Sequence, residues 1–419
     1  MRTFLSLCLL ALALLVLALI GAVASALSDA PSVQPPPAWS PAHVARARQL
    51  LLRNDPRRLP SGVPRTLVLS EADLDLALNH LADRHRGARA RLVLQPGEAE
   101  IAASLPVPAS PLGGYLNLSL RLRDGEGLPT VEHLRLGRLP VPGWMVQPLV
   151  AWAVRQALTP EGLSATGDTI EQLRFGDRKL LVRYVWHDDL PQRLRAGLMS
   201  PQELARLRAH QEALAARDAA LPQGRAAALD TLIGPAFAFA AQRSADGDPV
   251  AENRAALLVL AFHANGQGLE VVAPAARDWP RPRVRPVTLA ARTDLAKHFM
   301  VSAAIAAHAG APLADAIGLY KELEDAQGGS GFSFDDLAAD RAGTRLGERA
   351  VADAASALAL QQRLAAGVDG AALLPKVSDL PSGMAAGVFQ QRYGGVGTPA
   401  YQRELDRIEA RIEALPLYR

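Results

Sequence analysis

From Thr3 to Leu27 the chain carries no charged side chain and is almost entirely apolar, and this run limits the rest of the fold. At 1.5 Å rise per residue a helix over it covers a hydrocarbon core of about 30 Å, so it enters a membrane and the remaining chain folds outside. "AVASALSDA" offers an A-x-A cleavage site ending at Ala26, but the apolar run is longer than the roughly 7–15 residues of a signal h-region. The favoured reading is therefore an uncleaved anchor over 1–27, with a cleaved signal as the alternative. Arg2 precedes the run and only acids and prolines follow it closely, which places the body on the outer side. The expected location is the bacterial inner membrane, with a single N-terminal span and a periplasmic body, or the periplasm if the segment is cleaved. Cys8, the only cysteine, lies inside the run, so no disulfide braces the folded part.

Beyond the anchor the composition is that of ordinary globular domains, 49% hydrophobic and 21% charged over 419 residues. The 45 basic and 42 acidic side chains are spread evenly and form no basic stripe, which argues against a nucleic-acid partner. Residues 28–64 read as a proline-rich spacer, Pro31 to Pro41, and a short helix from Ala42 to Arg53. From 65 to 190 the pattern is strand-rich: "TLVLS", "ARLVLQP", "AEIAASLPV", "YLNLSLRLRD", "VEHLRLGRL" and "KLLVRYVW" alternate with period two between Gly, Pro and Asp. Two helices interrupt these strands. One runs from Ser70 to Asp83, with Ser70 and Asp73 as a cap pair, and one from Gly143 to Leu158.

The order "VLSEADLDLALNHL", "LNLSLRL" and "VEHLRLGRLPVPGWMVQPLVAWAV" resembles the pattern of membrane-anchored bacterial proteins related to the tubular lipid-binding (TULIP-like) group. The resemblance covers 65–158 and implies a helix packed in a small, curled antiparallel sheet, with Trp144, Met145, Leu149 and Trp152 lining an apolar groove for lipid. The same four residues at helical spacing would also serve as plain core packing.

After Asp188 the chain turns helical. A connector spans 191–272: a helix capped by Ser200, Pro201 and Glu203, a second from Pro222 to Ala241, and a third from Ala251 stopped by Asn265-Gly266. The irregular "APAARDWPRPRVRP" from Ala273 to Pro286 sets a boundary before a mainly α-helical domain over 287–419. Its final helix starts at Thr398-Pro399 and carries Tyr401, Leu405, Ile408, Ile412 and Leu415 on one stripe, suited to packing on the bundle. The whole is thus an α+β chain with a membrane helix in front, and the sequence leaves its oligomeric state open.

The helical domain concentrates the chemistry. Two of the four lysines and two of the nine histidines fall close together with a run of acids. Three helices are expected: Asp294 to Ala309, Pro312 to Ala326, and one from Phe334 to about Ala366, with Ser333 as N-cap and Asp336 completing a capping-box variant. Asp294 and His298, Glu322 and Asp325, and Asp336 and Asp340 each share a helix face. Such pairs on consecutive helices are how bundles bring oxygen and nitrogen atoms inward to a metal or a proton-transfer site. A divalent metal is the cofactor this set would take. His298, Glu322 and Asp336 are the catalytic candidates, and Asp294, His298, Glu322, Asp325, Asp336 and Asp340 the metal-ligand candidates. Each acid also has a local use: Asp336 as a cap, Glu322 beside Lys321, Asp340 beside Arg341 on a solvated face. "GGSGFS" lacks a P-loop lysine and a preceding strand, and reads as a tight turn.

The order "D-x-x-x-H-F", a carboxylate after a small-residue helix, a Gly/Ser turn and "D-L-x-A-D-x-x-G-x-x-x-G" is similar to VanZ-like proteins and to short predicted periplasmic proteins of unknown function. The resemblance covers about 294–347 and carries over to Asp294, His298, Phe299, Glu322, Asp325, Gly331, Phe332, Ser333, Asp336, Leu337, Asp340, Gly343 and Gly347. It implies a shared site and no named reaction. The leading expectation is a non-enzymatic envelope protein that binds lipid or a cell-wall intermediate. The alternative is a metal-dependent hydrolase or transferase acting on an envelope substrate.

Overall fold

The computed structural model of the chain describes residues 25–35, 40–53, 62–83, 87–111, 113–125, 129–142, 145–148, 170–185, 199–310, 314, 317, 321, 325 and 330–419. The class is mixed α+β, and the chain divides into two compact units, Met1–Ala38 with Leu51–Leu198 and Trp39–Leu50 with Met199–Arg419. No helix among the described residues is long and apolar enough to cross a membrane, and the run over 1–24 lies outside them.

In the first unit β1 (Leu27–Ser28) precedes β2 (Pro64–Ser70) and α2 (Glu71–Asp83), while most of the short helix α1 (Pro41–Arg53) belongs to the second unit. The strands β3 (Arg89–Gln95), β4 (Glu98–Ser110), β5 (Gly113–Arg123), β6 (Thr130–Leu136) and β7 (Leu139–Pro142) form an antiparallel meander. β8 (Ile170–Gly176) and β9 (Lys179–Val185) make a second sheet with β2. The Ser70 hydroxyl accepts the Asp73 amide at 3.2 Å and donates to its carboxylate at 2.6 Å, as the cap pair requires. Glu71, Asp75 and Asn79 lie four apart along α2, so they share a face. Their side chains accept the Leu94, Leu92 and Ala90 amides of β3 at 2.7, 2.6 and 2.9 Å. The helix thereby closes an edge strand whose amides would otherwise be open to pairing.

Two expectations for this unit change. The spacer was to begin at residue 28, yet Leu27 and Ser28 pair with Leu116 and Tyr115 of β5, and Ser32 donates its amide to the Ser104 hydroxyl at 3.0 Å. β8 was not anticipated, because in "IEQLRFG" Glu171, Gln172 and Arg174 leave only a short apolar alternation. It is held by pairing with β9 across the Asp177-Arg178 turn.

The second unit contains α3 (Pro201–Ala219), α4 (Asp230–Ser244), α5 (Pro249–Ala264), α6 (Thr293–Ala309), α7 (Phe334–Val351), α8 (Ala354–Ala365), α9 (Ala386–Tyr393) and α10 (Pro399–Glu413). Two further strands, β10 (Ala227–Ala228) and β11 (Val287–Thr288), form a short parallel pair. One core runs through it, with Ile233, Phe237, Phe299, Met300, Phe332 and Phe334 fully buried. The Ser200 capping box forms as read. Tyr401, Ile408 and Ile412 of α10 are buried, and the helix packs on α7 as expected.

The boundary at 273–286 is not a division between units, because that stretch is tied into the connector helices. Arg285 Nε lies 2.6 Å from the buried Asp218 carboxylate, at an angle that makes it an ion contact and not an aligned hydrogen bond. The Arg283 amide donates to the other Asp218 oxygen at 2.9 Å. The helix expected from Pro222 begins only at Asp230, since Ala227 and Ala228 pair with β11. α7 stops at Val351 and does not run on to Ala366. There the buried Asn253 amide takes the Ala350 carbonyl at 2.9 Å, and Asp353 caps α8 by accepting the Ser356 amide at 2.8 Å. α9 was not anticipated; Phe389 and Tyr393 are buried there, and Phe389 stacks on Phe332 at 4.1 Å.

Glu252 fastens α3, α4 and α5. It is 3% exposed and receives Arg206 Nε at 3.0 Å, His210 Nε2 at 2.8 Å and Arg243 Nε at 2.8 Å. Burial would raise its pKa, but the hydrogen bonds from His210 and Arg243 outweigh burial and hold it at about 2. α6 and α7 touch backbone to backbone. A Cβ on Gly343 would overlap the Phe299 carbonyl, and one on Gly347 that of Ala303.

Two substitutions test this packing. Glu252→Gln leaves two arginines facing a neutral group inside the unit and should cost about 3 kcal/mol, read as a lower denaturant midpoint. Gly343→Ala forces α6 and α7 apart and should cost about 1–3 kcal/mol or more, whereas the exposed Gly387→Ala, inside α9, should be neutral or stabilising. Equal effects at both glycines would show that the close approach does not matter.

Candidate functional site

The close approach of α6 and α7 sets the site. On α7, Asp336, Asp340, Gly343 and Gly347 fall on one face by helical spacing, and that face meets His298 and Ser302, four apart on α6. Asp340 is 3% exposed and lies with both carboxylate oxygens 3.1 Å from His298 Nδ1. The Ser302 hydroxyl donates to Asp340 Oδ1 at 2.7 Å. With Nδ1–H committed to a carboxylate, Nε2 is the working nitrogen of the ring. It lies 3.2 Å from Lys321 Nζ and 3.8 Å from Asp336 Oδ2. Lys321 in turn donates to Asp325 Oδ2 at 2.8 Å, and the Ser330 hydroxyl donates to the same oxygen at 3.3 Å. Asp325, Lys321, Ile317 and Ala314 are helical and recur every three or four residues, so they share a face.

Burial alone would lower the His298 pKa, but the Asp340 hydrogen bond and the charges of Asp340 and Asp336 outweigh it and raise the pKa to about 9, with Lys321 opposing. An imidazolium N–H and an ammonium cannot both direct a proton into the 3.2 Å gap between Nε2 and Nζ. At most one of the two therefore directs a proton into the gap. Asp336 is raised by burial first and by Asp335 and Asp294 next, against His298 and Arg292. Arg292 gathers the outer acids: it binds Asp294 through Nε at 3.1 Å, pairs with Asp335, and reaches Asp336 Oδ1 at 3.5 Å. The hydrogen bond to Arg292 lowers the pKa of Asp294 despite partial burial.

Arg292 owes its place to a two-residue turn. Leu289 and Arg292 exchange amide-to-carbonyl bonds of 2.9 and 3.0 Å across Ala290 and Ala291, which have φ of 49° and 60°. Both central residues are left-handed, as a type I′ turn demands, yet both carry a Cβ and so hold strain.

A cavity of 470 Å³ is lined by His298 together with Asn265, Gln267, Asp294, Lys297, Val301, Ser302, Ile317, Lys321 and Asp340. The site can thus hold a polar group against a histidine that is oriented by a carboxylate and lies beside an amine, an arrangement suited to proton transfer.

Of the residues singled out in the sequence, His298, Asp336 and Asp340 meet directly, Asp325 joins through Lys321, and Asp294 stands at the rim in the hold of Arg292. Glu322 lies outside the described residues. Asp340 is buried against His298 and does not share a solvated face with Arg341, which pairs with Glu409. Ser333 and Asp336 form no capping box; the Ser333 hydroxyl instead accepts the Gly383 amide at 3.1 Å. Among the described residues no three His, Cys, Asp or Glu side chains are gathered as a metal needs. The donors fit a metal poorly, since His298 gives Nδ1 to Asp340 and presents Nε2 to an amine. Trp144, Leu149 and Trp152 lie outside the described residues, and Met145 is 47% exposed in the first unit. The 270 Å³ cavity of that unit is lined by Glu71, Asp75, Asn79, Arg91 and Arg178 among others, and is polar.

Sequence reasoning missed Ser302, Arg292 and Asp335. Ser302 was within reach, being one turn beyond His298 on the same face. Arg292 and Asp335 carried no periodic signal, because a turn and a helix start position them. No family model, curated protein or solved structure matches the chain.

The raised His298 pKa has a stability consequence. Its unfolded value is about 6.5, so the stabilisation is complete below that pH and is lost as pH rises through about 9, amounting to about 3 kcal/mol. Asp340→Asn should bring the ring's titration, followed by NMR, back toward the ordinary range and flatten stability between pH 6.5 and 9. An unchanged titration would show that Asp340 does not set the ring's charge.

Proposed function

We propose that this chain is an envelope protein, anchored in the bacterial inner membrane by its apolar N-terminal run, whose helical unit acts on an envelope intermediate by acid–base chemistry at His298. The observation that carries the reading is that both members of a buried Asp340–His298 pair line a 470 Å³ cavity. A network serving only to join helices has no need to line a cavity.

The roles follow from the contacts. Asp340, itself fixed by Ser302, orients His298 and stabilises its charged form. His298 takes a proton from, or gives one to, a group held in the cavity. Lys321 stores the proton and, in its charged state, offsets negative charge developing on the bound group. Arg292 is a positioning residue that keeps Asp294, Asp335 and Asp336 from crowding the ring. The reaction class is hydrolysis or group transfer by an activated water or hydroxyl. The lipid or cell-wall intermediate expected from the sequence remains the substrate class of this proposal, and the resemblance to VanZ-like proteins points to the same residues.

The test incubates the full-length protein with a membrane extract containing envelope lipids and cell-wall precursors, and follows masses of the soluble and lipid fractions. A new mass that forms with wild type and falls at least a hundredfold with His298→Gln and Asp340→Asn, both still folded, is the expected result. A species retained unchanged on the protein would assign binding without chemistry. Elemental analysis of the same samples checks the other route: a stoichiometric divalent metal lost in His298→Gln would replace the proton-transfer mechanism with a metal-based one.

A further inference from the structure

The His298 cavity does not end at its ionisable residues. A second cavity of 330 Å³ lies between α5 and α6, lined by apolar groups of Leu258, Ala261, Phe262, Val301, Ala304 and Ile305. The two share Asn265, Gln267 and Val301 as lining, so the cavity that carries the ionisable groups and the apolar groove adjoin. The groove runs along consecutive turns of α6, since Val301, Ala304, Ile305 and His308 are three or four apart. The alanines at 261 and 304 keep it open where larger side chains would fill it.

The charge around the His298 cavity is uneven in a useful way. Its ionisable lining is Asp294, Lys297, His298, Lys321 and Asp340. Asp294 is held by Arg292, Asp340 by His298, and Lys321 by Asp325. Lys297 is exposed and makes no ion pair among the described residues, so its positive charge is left facing whatever enters. An anion at this rim gains a partner without breaking an existing pair.

We propose that the occupant is a single-chain anionic amphiphile, its headgroup at Lys297 and His298 and its chain along the groove between α5 and α6. This rests on the acid–base reading of the cavity and adds to it the substrate's shape: an anionic head joined to one apolar chain. A bare anion leaves the groove unfilled. The 330 Å³ groove is filled by one chain in this proposal, and a double-chain lipid would leave its second chain outside it.

The experiment titrates hexyl, octyl and decyl phosphate, with inorganic phosphate and decanol as controls, into the full chain in nanodiscs, using empty nanodiscs as the blank. Affinity should rise about fourfold per methylene, the equivalent of about 0.8 kcal/mol, and decanol should bind at least tenfold more weakly than decyl phosphate. Lys297→Gln should weaken every alkyl phosphate by a similar factor. Val301→Phe should flatten the chain-length dependence while hexyl phosphate still binds, and the half-buried Ile305→Gln should do the same without disturbing the core. A flat chain-length series in the wild type, decanol binding as tightly as decyl phosphate, or an unchanged slope in both groove variants overturns the proposal. If the slope is flat while product formation still needs His298, only the amphiphile inference falls. If the slope holds while His298→Gln leaves product formation intact, the groove stands and the acid–base reading falls.

Discussion

Everything chemical in the second unit depends on how closely α6 and α7 approach. Gly343 and Gly347 let the α7 backbone meet the Phe299 and Ala303 carbonyls, a distance at which any side chain would collide. At that separation a short aspartate on α7 reaches an imidazole on α6. Asp340 and His298 hydrogen bond directly, with Ser302 filling the carboxylate's next acceptor position. A separation larger by one methyl group would lengthen these bonds and leave two buried polar groups imperfectly paired, which costs more than the pair returns when intact. The glycines and the site residues are therefore one structural device.

The buried charges are arranged so that acids and bases compensate locally. Glu252 is surrounded by His210, Arg206 and Arg243, and Asp218 meets Arg285. These two clusters have their ionic partners within the fold and face inward, so their role is to register helices. The His298 cluster differs in one respect. Its histidine lines a cavity, and the ring's second nitrogen lies 3.2 Å from a lysine amine. Under the acid–base reading such a nitrogen gives or accepts a proton with one contact altered, whereas Glu252 cannot change its protonation without breaking three contacts.

The sequence made the helical periods, the strands with clean alternation and the face-sharing acids readable, because each depends on neighbours within a few residues. It also placed Gly343 and Gly347 beside the acids. What it could not show is which faces meet. The break at Val351 depends on Asn253, almost one hundred residues earlier in the chain, reaching the Ala350 carbonyl. The continuity across 273–286 depends on a buried arginine finding Asp218 on α3. Nothing in either local stretch announces a distant partner, so periodicity extended the helix and composition placed a boundary. The Ser333 capping box failed for a related reason: the local hydroxyl was claimed by the Gly383 amide of a loop fifty residues later.

The Ala290-Ala291 turn shows where local rules yield to the site. A two-residue hairpin with both φ values positive is the place for Asn-Gly, and alanine there costs about 1–2 kcal/mol for each left-handed residue. The turn nonetheless delivers Arg292 to three carboxylates at once, Asp294, Asp335 and Asp336. Without that guanidinium the three acids would face one another and His298 across the start of α7. Their mutual repulsion would favour the protonated carboxyls. The strain in the turn and the arrangement of the acids beside His298 are thus linked through one arginine. A backbone that every local preference disfavours is retained because it holds the negative charge in place around the working nitrogen.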